Sequence, residues 1–115
     1  MKETYVRKAM VVRVVDGDTV ELNIDLGCHI HVNEICRLSG INAPETRGAA
    51  DKAPGLAAKA HLVDIIHPYV TIKMEKDQGK FGRYLVTIWN PGDREDGPTI
   101  NDRMVTDGHA VRAEY

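Results

Sequence analysis

Apolar residues in this chain fall into short runs whose period changes along its length. Met10 to Val15 is a dense, valine-rich run, which predicts a strand. Asp16-Gly17-Asp18 carries a turn signal, and Thr19 to Ile24 then alternates with period two, placing Val20, Leu22 and Ile24 on one inward face. Asp25-Leu26-Gly27 can reverse the chain. Beyond it Cys28, Ile30 and Val32 alternate with His29, His31 and Asn33, so a third strand is expected from Cys28 to Leu38. That hairpin is long for so small a chain, and its far end is expected to project or curl.

The period then lengthens. After an irregular stretch from Asn42 to Ala53, with Thr46, Arg47, Gly48 and Asp51 expected to be exposed, Pro54 suits the first turn of a helix. Leu56, Ala60, Val63 and His67, with Ala57 and Ile66, follow three- and four-residue spacing and define its expected buried face. The helix should stop before Pro68. Period two returns at Val70, Ile72 and Met74, and a fifth strand covers Tyr84 to Trp89, where Trp89 reads as a packing residue. Between them Lys76 to Gly82 is a polar loop carrying Lys80. Ile100 to Asp107 predicts a short helix capped by Thr99 and ended by Gly108, with Asn101 hydrogen-bonding near its start. Three strands, a helix, two strands and a helix is the order of an α+β fold built on a five-stranded OB-type Greek-key barrel.

Composition narrows the class without changing that picture. With 115 residues the chain has room for one modest core, so residues 1–115 are expected to form a single domain. Apolar content of 43% and charged content of 28% are ordinary for a folded protein, and a net charge of −2 means that any polyanion must be met by a local positive field. The N-terminal residues lack a signal-peptide core and no run has the length of a membrane span. The expectation is a cytoplasmic protein without membrane association, or a secreted one if a leader was removed. Cys28 and Cys36, read on one strand, stand roughly 26 Å apart and cannot bridge. Free thiols fit a reducing compartment, and alternation sets Cys28 opposite His29 and His31, which argues against zinc there.

Three short stretches carry chemistry. In Val14-Val15-Asp16-Gly17-Asp18-Thr19-Val20 a tight turn can aim two carboxylates at one point, an oxygen donor set for calcium or magnesium rather than zinc. Alone, Asp-Gly is equally a hairpin turn. In Cys36-Arg37-Leu38-Ser39-Gly40-Ile41-Asn42-Ala43-Pro44-Glu45 a guanidinium, an amide oxygen and a carboxylate follow a strand that turns at Ser39-Gly40. Lys80-Phe81-Gly82-Arg83-Tyr84 supplies a second arginine. A guanidinium offers paired donors to phosphate oxygens and keeps its charge, and Glu45 is placed to serve as a base toward water.

In this order, on this scaffold, the three stretches resemble the staphylococcal-nuclease-like (thermonuclease) family, from about Val11 to Ala110. The resemblance implies a calcium-dependent nuclease that hydrolyses DNA or RNA with little sequence specificity and leaves 3′-phosphate ends. It makes Asp18, Asn42, Asp16 and Ala43 the metal-site positions. It makes Arg37, Glu45 and Arg83 the catalytic residues, and Lys80 and Phe81 substrate-binding ones. The chain departs from the family's founding enzyme in several places. Asn42 replaces an aspartate and removes a negative charge, which predicts weaker calcium affinity or a different divalent cation. Ala43 replaces a threonine whose backbone carbonyl is the expected ligand, and Phe81 lacks a tyrosine hydroxyl. The sequence also stops at Tyr115, before the family's long C-terminal helix, so a monomer or a weak homodimer is expected. The alternative is a catalytically silent OB-type module that binds nucleic acid or protein. Retention of Arg37, Glu45 and Arg83 favours the enzyme.

Overall fold

The computed structural model describes residues 4–45, 53–75 and 84–113. Its strands are β1 (Thr4–Asp16), β2 (Thr19–Gly27), β3 (Ile30–Leu38), β4 (Ile41–Asn42), β5 (Tyr69–Glu75), β6 (Tyr84–Trp89) and β7 (Val111–Arg112), with helices α1 (Ala53–Ile65) and α2 (Ile100–Thr106). Five strands close a barrel in the order β1-β2-β3-β6-β5, and β4 pairs with β7 as a small separate sheet. All barrel pairings are antiparallel except β3 with β6, which is parallel and sets Leu38 opposite Val86. This is the expected five-stranded OB-type barrel.

Alternation explains the core. Val20, Leu22 and Ile24 from β2, Cys36 and Leu38 from β3, Ile72 from β5 and Val86 and Ile88 from β6 are all sealed from solvent. Leu62 of α1 and Ile100 and Met104 of α2 close the barrel's apolar interior. Burial of a large aliphatic side chain is worth about 2 kcal/mol, so this one cluster supplies the main folding drive.

Three expectations are corrected. The first strand begins at Thr4 rather than Met10, because it serves two partners: its first half pairs with β5 from Thr4 to Met10 and its second with β2 from Ala9 to Asp16. Register shifts between Val11 and Arg13 and between Val14 and Asp16 let it bend between them. Local polarity at Arg7-Lys8 hid this half of the strand.

Cys28 is not on the third strand. Gly27, Cys28 and His29 have φ of 87°, 52° and 63°, so the turn lies there and β3 starts at Ile30. Two non-glycine residues in the left-handed region are uncommon, which is why the earlier Asp-Leu-Gly turn looked sufficient. Both cysteines are free, Cys28 exposed and Cys36 buried. The hairpin tip does project: β1 pairs with β2 only as far as Ile24, leaving the last residues of β2 held by β3 alone.

The helix α1 forms as expected but buries a different face. Gly55, Ala58 and Leu62 point inward, while Leu56 and Val63 are more than half exposed. The reason is steric. A Cβ on Gly17 would stand 2.7 Å from the Cβ of Ala58 and 2.9 Å from that of Ala43, so helix and β1–β2 turn meet through their smallest residues. Large side chains cannot occupy so close a contact, and the apolar stripe with the greater bulk is turned outward.

The helix α2 matches its signals. Thr99 Oγ1 accepts from the Asp102 N–H (3.0 Å) and Asp102 Oδ2 from the Thr99 N–H (3.1 Å), a reciprocal capping box, and Gly108 with φ 85° follows the helix end. Asn101, 3% exposed, stitches the barrel: its Oδ1 accepts from Ile88 N–H (3.1 Å) and its Nδ2 donates to Ser39 O and Val86 O (each 2.9 Å). His109, for which the sequence offers no partner, stacks on His61 at 4.4 Å, and His61 Nε2 meets Asp107 Oδ2 at 2.7 Å. These contacts clasp α1 to the end of α2.

Candidate active site

The site forms at the rim where β1 turns into β2. Gly17 and Asp18 make the two-residue turn, and the Asp18 backbone carbonyl accepts from Leu38 N–H at 2.7 Å, tying the turn to the end of β3. The β2–β3 register sets Thr19 opposite Arg37, which brings the guanidinium beside Asp18. After Leu38 the chain turns at Ser39-Gly40, where Gly40 has φ 77°, and the short β4 pairing with β7 fixes Ile41 and Asn42 at the same rim.

Asp18 is the centre of this cluster. It is 6% exposed, and its carboxylate has three partners: Thr19 Oγ1 donates to Oδ1 (3.0 Å), Ala43 N–H to Oδ2 (2.9 Å) and Arg37 Nη2 to Oδ2 (3.3 Å). A buried carboxylate is costly unless hydrogen-bonded and paired, and these contacts satisfy it. The same Arg37 Nη2 donates to Asn42 Oδ1. The oxygens of Asp18 and Asn42 therefore converge on one nitrogen, from residues 24 positions apart in the sequence.

Asp16 ends β1 half-buried beside the turn. Glu45 is exposed three residues after Asn42 and has no hydrogen-bond or ion-pair partner among the described residues. Ala43 is half-buried, and it is its N–H, not its carbonyl, that contacts Asp18. Arg83, Lys80 and Phe81 lie outside the described residues, as do Thr46, Arg47, Gly48 and Asp51. Among the described residues, then, the structure brings Asp18, Arg37, Asn42 and Ala43 together, with Asp16 and Glu45 flanking them in the chain.

Sequence reasoning missed three contributors. Thr19, 4% exposed, orients the carboxylate, and the only signal for it was a hydroxyl directly after the acidic turn. Gly17 and Ala58 let the helix approach the turn, a role visible only in three dimensions.

The donor set fits a hard divalent cation. It is made of oxygens, it includes a carboxylate already held by three protein donors, and two of its members share one cationic partner. Among the described residues there is no cluster of three or more histidine, cysteine, aspartate or glutamate side chains suited to a metal, so an ion here would lean on amide and backbone oxygens as well.

An OB-type barrel with an acidic turn and a strand-borne arginine at one rim defines the class of domain. Comparison with known proteins gives the family. Residues 35–115 match the family described as staphylococcal nuclease homologue. Over 104 residues the chain is 33% identical to protein ParB of Escherichia coli, covering 87% of the chain and 54% of that protein. Over 109 residues it is 32% identical to the micrococcal nuclease of Shigella flexneri, covering 91% of the chain and 58% of that relative. The chain belongs to the staphylococcal nuclease family, and it spans little more than half the length of these two relatives.

Proposed function

We propose that this domain is a metal-dependent nuclease that hydrolyses phosphodiester bonds of DNA or RNA with little sequence preference. The observation that carries the reading is the convergence of Asp18 and Asn42 oxygens on Arg37 Nη2, on a rim that also bears the exposed Glu45.

Asp18 and Asn42, with Asp16 and the backbone of Ala43, would hold a calcium ion. When bound, such an ion supplies positive charge for the oxygens of a pentacoordinate phosphorus. The protein's own groups do the rest. Arg37 gives up contacts to the two metal-site oxygens and turns its paired N–H donors to the phosphate, where charge grows in the transition state. Arg83, one residue before the strand whose Tyr84 pairs with Cys36, is the second guanidinium for that phosphate. Glu45 orients a water molecule and accepts its proton as the water oxygen bonds to phosphorus and the P–O5′ bond breaks; the 5′ oxygen leaves as a hydroxyl with a proton taken from solvent water, and a 3′-phosphate remains. Lys80 and Phe81 are the substrate-binding positions, Lys80 for a nucleotide phosphate and Phe81 without the hydroxyl that would hydrogen-bond to one. Phosphate contacts carry no base information, hence the broad tolerance expected at the scissile bond.

One observation favours a second reading. Arg37 already satisfies both oxygens with its own cationic group, and Asn42 brings no charge to the site. A rim that is internally neutralised in this way suits a binding module without cleavage. Hydrolysis of single-stranded DNA and RNA, with and without calcium, separates the two. Cation-dependent cleavage that falls by about a hundredfold in Glu45→Ala and Arg83→Ala supports the nuclease. A folded protein inert with calcium, magnesium and manganese would leave the binding module.

A further inference from the structure

The third strand leaves most of one edge open. β6 runs beside β3 only at Cys36, Arg37 and Leu38, opposite Tyr84, Leu85 and Val86. Across residues 30–35 the strand pairs with β2, and no second strand among the described residues lies along its other side. Two hydrogen bonds fix which residues face that side. Leu38 N–H donates to Asp18 O (2.7 Å), toward β2, and Ser39 N–H donates to Val86 O (2.8 Å), toward β6. Backbone groups alternate along a strand, and the β2–β3 register has no shift between His31 and Arg37. Cys36, Glu34 and Val32 therefore turn their N–H and C=O to β2, and Ile35, Asn33 and His31 turn theirs outward. The bond from Asn23 Nδ2 to Asn33 Oδ1 (2.6 Å) agrees, because side chains come closest in pairs whose backbones are not bonded to each other.

The outward backbone groups of His31, Asn33 and Ile35 have no hydrogen-bond partner among the described residues. The three side chains are exposed, and residues 31–35 hold no proline, bulge or lysine to blunt the edge. An open row of this kind is a template for a further strand.

We propose that this edge is a dimer interface, occupied by the same edge of a second copy running antiparallel about Asn33. The stretch matches itself. A two-fold axis at Asn33 sets Asn33 opposite Asn33 of the second copy, and His31 opposite Ile35 on either side. Each of these pairs joins outward groups to outward groups, for about six backbone hydrogen bonds. Any other antiparallel register aligns fewer of them, since beyond Ile35 the edge belongs to β6 and before Ile30 it enters the turn. The ends fit for the same reason. Ile30, 57% exposed, comes level with Cys36 of the second copy, so the hairpin turn of one copy falls where β6 of the other begins. On the outer face Ile35, 40% exposed, lies against His31 of the second copy. Glu34 falls opposite Val32, so no like charges stand directly opposite each other. None of the rim residues takes part, and the interface holds whether or not the domain cleaves.

Sedimentation from micromolar to millimolar protein, with amide exchange followed residue by residue, tests the interface. The expected result is a monomer–dimer equilibrium. In the dimer the amides of His31, Asn33 and Ile35 gain about tenfold protection or more over the dilute protein, while those of Val32, Glu34 and Cys36 are protected throughout. Asn33→Pro removes the N–H at the two-fold, where an edge strand tolerates proline, and should weaken the dimer about tenfold or more. Asn33→Lys sets two ammonium groups directly opposite each other and should weaken it as much with an unchanged circular dichroism spectrum, which keeps the test open if the proline variant does not fold. A monomer at every concentration overturns the proposal, as does a dimer whose three edge amides exchange as fast as in the dilute protein. Protection of those amides by an added peptide of alternating threonine and valine, in a protein that stays monomeric, also overturns it and makes the edge a site for a foreign strand.

Discussion

Two buried polar side chains, Asp18 and Asn101, show how this fold separates support from chemistry. Asn101 is 3% exposed and all three of its hydrogen bonds go to backbone groups of neighbouring segments. These bonds join β6 to the turn that follows β3, where Val86 O also accepts from Ser39 N–H (2.8 Å), so the residue is a structural stitch. Asp18 is almost as buried, at 6%, but its partners include a hydroxyl and a guanidinium that can be exchanged for other ligands. Burial alone does not distinguish the two. What differs is the kind of partner: backbone groups alone in one case, a backbone N–H joined by a hydroxyl and a guanidinium at the rim in the other.

The widest break between them should come from truncating the stitch. Asn101→Ala takes the Asn101 partner from the Ile88 N–H and the Ser39 carbonyl, and one of two donors from the Val86 carbonyl, at a cost on the order of 3 kcal/mol. Denaturant titration should show that loss, and any remaining folded protein should cleave normally. At Asp18 the balance reverses. Asp18→Asn keeps an oxygen for the Ala43 N–H and should alter stability by about 1 kcal/mol or less, while cleavage falls on the order of a hundredfold.

A smaller effect tests the α2 cap, which holds Asn101 in place. Burial pushes the Asp102 carboxyl up, but the Thr99 backbone N–H, Arg112 and the Thr99 hydroxyl together outweigh it and hold its pKa below the ordinary carboxylate value. The folded-state pKa is depressed, so this stabilisation is fully present above the unfolded value, about 3.9, and is lost as pH falls through the folded one. Melting temperature plotted against pH should therefore drop less steeply below about pH 4 in Asp102→Ala than in the parent.

The smallest effect concerns the thiols. Burial, followed by the Glu34 charge, pushes Cys36 up to about 12, whereas Cys28 is exposed in the hairpin turn. A thiol reagent at neutral pH should label one cysteine in the native protein and the second only on unfolding. Two reactive thiols in the native state would mean that the barrel opens readily at β3.

The barrel was legible because period-two alternation at Val20, Leu22 and Ile24, and at Val70, Ile72 and Met74, reports directly which face is buried. The caps of α2 were legible for the same reason: Thr99, Asp102 and Gly108 act on their nearest neighbours in the chain. The face of α1 was not. Leu56 and Val63 form the stronger apolar stripe, but the contact with Gly17 admits only small residues, and that constraint comes from another segment. The hairpin turn was misplaced by a few residues because Cys28 and His29 accept positive φ without a glycine signal. At the rim, the acidic turn and Arg37 could be named from residue types. That Arg37 bridges Asp18 and Asn42 depends on the β2–β3 register and the β4–β7 pairing, neither of which leaves a local mark. The burial of Trp89, whose indole N–H has no partner among the described residues, was equally invisible, since alternation says which side a residue faces and not what covers it.

The central claim is that Asp18 and Asn42 form one cation site, now bridged by Arg37. Calcium binding measured by calorimetry on the parent, Asp18→Asn and Asn42→Asp tests it most directly. The account predicts weak binding in the parent, none in Asp18→Asn, and an affinity about tenfold or more higher in Asn42→Asp, because a carboxylate replaces an amide in the donor set. Affinity unchanged by Asn42→Asp, or calcium bound equally well without the Asp18 carboxylate, would contradict it.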